Sequence, residues 1–196
     1  MLKLLTASLA LLCFATPVYA GFIEIGASVN YRRNSIDENN YSDTTSYTGS
    51  ISYYFWERSA LELSYTSGLG KLSTKADGVD GIQRIQIAQF SMTSADIVLS
   101  LAGREDPFQP YFKFGAGYVD KSIFLEDELT GRVLIKTQNG VVPSAGIGLK
   151  VLLTKSLSIK LGVDAWTSPP DDTNADGSDR KNTIDYAGRA GLSWMF

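Results

Sequence analysis

The chain has 196 residues with 18 basic and 21 acidic side chains, one cysteine and no histidine. A negative balance argues against nucleic acid as a partner, since such binding rests on neutralised phosphates, and without histidine a hydroxyl nucleophile lacks its usual base. One domain is the expectation at this length.

Residues 1–20, MLKLLTASLALLCFATPVYA, carry Lys3, an apolar run over 4–15 and the small-residue pattern Val18-Tyr19-Ala20. The pattern predicts a secretory signal peptide cleaved after Ala20, too short for a spanning helix. Leu12 stands before Cys13, where a lipid-modified cysteine wants a small residue, so no lipid anchor is expected. Loss of Lys3 and Cys13 leaves residues 21–196 as a single domain with 17 basic residues against 21 acidic ones and no thiol for a disulfide or a metal.

The mature chain alternates with period two. Over 22–33, Ile23, Ile25, Ala27, Val29 and Tyr31 oppose Glu24, Gly26, Ser28, Asn30 and Arg32, which a helix would mix. The polar stretch 34–44 reads as a loop. Residues 45–56 set Tyr47, Ile51, Tyr53 and Phe55 against Ser46, Thr48, Ser50 and Ser52; a tight turn at 57–59 leads to 60–69, with Leu61, Leu63, Tyr65 and Leu69 against Glu62, Ser64, Thr66 and Gly68. Residues 70–81 read as a second long connection. Over 82–101 the alternation runs to twice what a bilayer requires: 93–101 suits lipid, while Gln83, Arg84, Gln86 and Gln89 suit a hairpin arm above it. A turn at 103–107 opens 109–121, where Phe112, Phe114, Ala116 and Tyr118 oppose Lys113, Gly115 and Gly117. A third excursion covers 122–140, within which Val133 and Ile135 suit further strand. Residues 141–153 place Ala145, Ile147, Leu149, Val151 and Leu153 opposite Gly146, Gly148 and Lys150, with Pro143 awkward unless it lies near a rim or bulge. A turn at 154–156 precedes 157–166, which faces Leu157, Ile159, Leu161, Val163 and Ala165 one way and Ser158, Lys160, Gly162, Asp164 and Trp166 the other.

After a fourth long loop, 167–184, the closing stretch 185–196 puts Tyr186, Gly188, Ala190, Leu192, Trp194 and Phe196 on one face. Eight strands with long and short connections in alternation predict an all-β, antiparallel up-and-down transmembrane β-barrel, with short turns and both termini on the periplasmic side. Its aromatics sort by strand end: Phe22, Phe55, Trp56, Phe108, Trp194 and Phe196 at one rim, Tyr31, Tyr47, Tyr65, Tyr118 and Tyr186 at the other, although strict alternation turns Trp56 and Trp166 inward.

The inward positions then hold Glu24, Glu62, Asp96 and Asp164 with Lys113, Lys150, Lys160 and Arg189, and Arg32 near the upper rim. Eight strands enclose a space that side chains fill, and an unpaired buried charge is costly. A charge network that plugs the lumen is therefore expected, with conduction along it as the alternative. Asp172, Asn174 and Asp176 ahead of Gly177 have the spacing of a calcium loop, but Thr183 stands where the bidentate Glu belongs, so a solvated acidic loop competes with a metal site. No cluster proposes catalysis and no motif calls for a cofactor.

The leader, the eight alternating segments and the terminal aromatic strand resemble the small outer-membrane β-barrel proteins of the OmpA/OmpX/OmpW-like group. The stretch Gln109-Pro110-Tyr111-Phe112-Lys113-Phe114-Gly115-Ala116-Gly117-Tyr118 is similar to that group's fifth-strand pattern. The resemblance implies a monomer in the outer membrane of a Gram-negative bacterium. Its partners would be outer-membrane lipid and the barrel-assembly machinery, the latter reading Tyr186, Leu192, Trp194 and Phe196 as its signal. It leaves two roles open: a non-enzymatic structural or surface protein whose loops 34–44, 121–140 and 167–184 contact host, matrix or envelope partners, or a narrow passive channel for small or hydrophobic solutes.

Overall fold

A computed structural model of the protein describes residues 22–35, 41–75, 83–127, 131–167 and 184–196. They form eight strands: β1 (Phe22–Ser35), β2 (Tyr41–Trp56), β3 (Ser59–Lys75), β4 (Gln83–Ser100), β5 (Phe108–Asp127), β6 (Gly131–Leu152), β7 (Leu157–Thr167) and β8 (Ile184–Met195). Each pairs antiparallel with its neighbours in sequence, and β8 returns to β1 to close the barrel, Glu24 opposite Met195 and Tyr31 opposite Gly188. Closure leaves no free edge around the spanning part, which is what hydrocarbon demands of a backbone that must satisfy its own polar groups.

Alternation fixes which way each side chain points, because a one-residue slip would exchange every inward group for an outward one. Ile25, Leu63, Ile97, Phe114, Ile147, Leu161 and Leu192 stand exposed on the outer wall, whereas the buried polar residues lie inside. Such a distribution inverts that of a water-soluble protein and matches a lipid-facing wall. The tyrosine rim is a ring in register: Tyr47 lies opposite Val29 and Ser67, Tyr65 opposite Gly49 and Thr93, Tyr118 opposite Thr93 and Val141, and Tyr186 opposite Ala165. On β6 and β7 smaller Val141 and Ala165 continue it.

Several strands run further than the alternation alone indicated. β2 begins at Tyr41 and β3 extends to Lys75, so parts of 34–44 and 70–81 expected as loop are paired strand, Tyr41 facing Ser73. The excursion expected over 122–140 is mostly a hairpin, with Ser122 opposite Thr137 and Asp127 opposite Gly131. Only Val133 and Ile135 suggested strand there; ladder pairing to an already placed β5 extends it over most of the stretch. Among the described residues, β7 and β8 have 11 and 12 residues, against 20 and 22 in β5 and β6. Pro143 lies one residue above Ser144, where pairing to β7 begins, so its missing N–H faces no β7 partner.

One orientation is corrected. The register between β2 and β3 shifts from Tyr54–Ala60 to Trp56–Ser59, leaving Phe55 as the extra residue of a bulge. The bulge turns Trp56, expected inside, out to the rim, where it is 72% exposed and rests against Phe55 with ring centroids 5.2 Å apart. Trp166 keeps its inward position.

Candidate functional site

The interior divides into two layers. In the half nearer the termini, β1 contributes Glu24, β3 Glu62, β4 Asp96, β5 Lys113, β6 Lys150, β7 Lys160 and Asp164, and β8 Arg189, all turned inward by the same alternation that sends their neighbours to lipid. Four acids meet four bases. Lys150 and Lys160 grip Glu24 at 2.8 and 2.5 Å. Lys160 also reaches Glu62 at 3.4 Å, and Lys113 and Arg189 approach the same carboxylate at 3.5 and 3.7 Å. Lys113 then bridges to Asp96 at 3.8 Å and Asp164 at 3.1 Å, and Arg189 to Asp164 at 3.3 Å. These eight charges therefore sit in one connected, formally neutral network. Pairing of this density offsets the several kcal/mol that each ion loses on leaving water.

Hydroxyl groups complete the network, and two of them, on Tyr54 and Tyr111, are absent from the charge set that alternation predicts. Tyr54 donates to Glu24 at 2.8 Å, and Arg189 donates to Tyr111 at 3.0 Å. Tyr111 shares a face with Lys113 and Tyr54 with Ser52, one residue before the bulge, so alternation could have found both. Ser52 donates to Glu62 at 3.2 Å, and Ser94 and Ser144 donate to Asp96 at 3.0 and 2.5 Å. Glycines give the long side chains room: a Cβ at Gly146 would come within 3.0 Å of Lys113 Cε, and one at Gly115 within 2.7 Å of the Asp96 backbone. Two cavities in this part are small, about 30 Å³ beside Lys113 and Arg189 and about 20 Å³ between Tyr54, Lys150 and Lys160.

Nearer the other mouth the lining turns to hydroxyl and apolar groups. Asn30 donates to Ser46 and Thr48 at 3.2 and 2.7 Å, and above this ladder Arg32 pairs with Asp185. The terminal residues Tyr186, Leu192, Trp194 and Phe196 lie exposed on the outer face of the closing strand and its end. Asp172, Asn174 and Asp176 fall outside the described residues, as does the leader. Among the described residues no cluster of three or more acidic, histidine or cysteine side chains has metal-binding geometry.

A closed antiparallel cylinder with an apolar belt between aromatic rims and a salt-bridged lumen defines a small eight-stranded β-barrel of the outer-membrane type. Comparison with solved structures gives the same fold. The chain is similar to the N-terminal β-barrel domain of Pseudomonas aeruginosa OprF, with 19% identity, TM-score 0.56, and 90% of this chain and 99% of that one covered. It is also similar to Neisserial surface protein A (NspA; 14%, TM-score 0.61, 89% and 97% covered) and to Ail, the attachment invasion locus protein of Yersinia pestis, in complex with the heparin analogue sucrose octasulfate (11%, TM-score 0.51, 91% and 100% covered). No protein-family model and no curated protein matches the sequence.

Proposed function

We propose that this is a non-enzymatic protein of the bacterial outer membrane whose barrel is a filled anchor and whose work is done by the hairpins at the tyrosine rim. The observation that carries the reading is the lumen: eight charges bound to one another, with residual cavities of about 30 and 20 Å³ in that layer, each room for about one or two waters. The β5–β6 hairpin supports the outward half of the reading, because Val133, Leu134 and Ile135 stand about half exposed beyond the rim, where neither lipid nor core covers them. Two of the structural neighbours are, by name, a surface protein and an attachment protein, which favours the same role.

Single-channel recording in planar bilayers tests it. The refolded protein is expected to stay silent, while shortening the β5–β6 hairpin removes attachment to host cells or matrix. A reproducible opening whose size changes with Glu62→Ala or Lys113→Ala would replace this reading with a narrow channel for small or hydrophobic solutes.

A further inference from the structure

Above the salt-bridged layer the lumen is sealed by apolar side chains and then reopens. Met92, Val119 and Val142 form a buried cluster with Trp166 packed on it, and Phe90 stacks against Trp166 at 6.5 Å between centroids and 27° between planes. This aromatic pair forms the floor of a cup of about 100 Å³ at the mouth away from the termini, walled by Thr44, Ser46, Gly70 and Ala88.

Two glycines make the cup. A Cβ at Gly68 would lie 2.5 Å from Phe90 Cε1 and from Ser46 Cβ, so only glycine lets the Phe90 ring cross that strand. A Cβ at Gly70 would stand 2.9 Å from Thr44 Oγ1, narrowing the wall.

Three charges face the cup, and they are not balanced. Arg32 is held by Asp185. Lys121, directly opposite Phe90 in the β4–β5 ladder, has no ion-pair or hydrogen-bond partner among the described residues. In the lower layer every lysine is satisfied by carboxylates, so a half-buried ammonium beside an aromatic floor is a different kind of position. It favours an anion, which a charged donor holds more strongly than a neutral donor does, and the floor favours an apolar ring under that anion. At about 100 Å³, below the about 150 Å³ of an enclosed apolar cavity that holds benzene, the cup takes at most one ring, part of which stays in the open mouth.

We infer that this cup binds a small ring-bearing monoanion of the aromatic carboxylate class, its ring on Phe90 and Trp166 and its carboxylate on Lys121, with the Thr44 hydroxyl beside it. The site lies above the seal and is independent of whether the lumen conducts.

The test uses residues 21–196 refolded in zwitterionic detergent, with Trp56→Phe and Trp194→Phe so that Trp166 alone reports. Benzoate is expected to change Trp166 fluorescence saturably, Lys121→Gln to weaken it at least about tenfold, and Lys121→Arg to stay within about threefold of the parent, as removal or retention of one charged hydrogen bond requires. Benzamide, the neutral isostere, should bind at least about tenfold more weakly. Absence of a saturable response to benzoate, an unchanged affinity in Lys121→Gln, or equal binding of benzamide would each overturn the assignment. Heat-modifiable gel migration of each variant reports that the barrel has folded.

Discussion

Glu62 shows what a single residue does here. Its carboxylate meets Lys113, Lys160 and Arg189 and accepts from Ser52, so it is the joint between the Glu24, Lys150 and Lys160 group and the group formed by Lys113, Asp96, Asp164 and Arg189. Glu62→Gln would leave one uncompensated positive charge in a lumen with little space for water, and removing one partner of a buried pair costs about 3–5 kcal/mol. A fall of that size is expected in the urea stability of the refolded protein, with partial recovery when Lys113→Gln is added and neutrality returns. Glu57, in the exposed turn between β2 and β3, provides the contrast, since Glu57→Gln should stay within about 0.5 kcal/mol. An equal response at both positions would show that the interior charges are solvated. The identity of the eight charges was legible from alternation alone, but not their pairing. Lys113 joins acids on β3, β4 and β7, and no local pattern encodes which strands face one another across a lumen.

Whole strands were legible where alternation ran unbroken and illegible where the backbone departed from it. The bulge that turns Trp56 outward inserts Phe55 into the ladder, and a period-two reading carried through it assigns the wrong face to the residue beyond. Length was the second failure: β5 and β6 climb to Asp127 and from Gly131 without the clean alternation of the spanning part, because pairing rather than burial holds them there. Glycines divide by element in a similar way. At Gly115 a Cβ would press within 2.7 Å of the Asp96 Cα on the adjacent strand, whereas at Gly49, on the outer wall of β2, it would meet nothing within 4 Å. Gly115→Ala should therefore destabilise by about 1–3 kcal/mol through overpacking, and Gly49→Ala should be neutral or stabilising by up to about 1 kcal/mol, since glycine in a strand carries an entropic cost. Urea titration of both variants in the same lipid checks the pair, and a loss at Gly49 as large as at Gly115 would contradict the close approach of β4 and β5.

For the molecule as a whole, the fold requires a solvent that differs with height. Leu161 and Val133 are each 47% exposed, yet they belong to different surroundings. Leu161 sits halfway up β7, level with Leu149 and Ala190, in the middle of the apolar belt. Val133 lies on β6 opposite Leu125, well beyond the Tyr118–Val141 step of the rim. In a soluble protein, arginine at two equally exposed positions would have equal and small effects. In a bilayer, a charge on the lipid face costs about 2–4 kcal/mol near the midplane and nearly nothing outside it. Leu161→Arg is thus expected to lose about 2–4 kcal/mol when unfolding is followed from phosphatidylcholine vesicles, and Val133→Arg to change by less than about 0.5 kcal/mol. The difference should shrink in detergent micelles, whose headgroups can approach the arginine. Equal effects of the two substitutions in vesicles would mean that the apolar belt does not contact acyl chains, and with it the closed lumen, the rims and the projecting hairpins would lose their common reference.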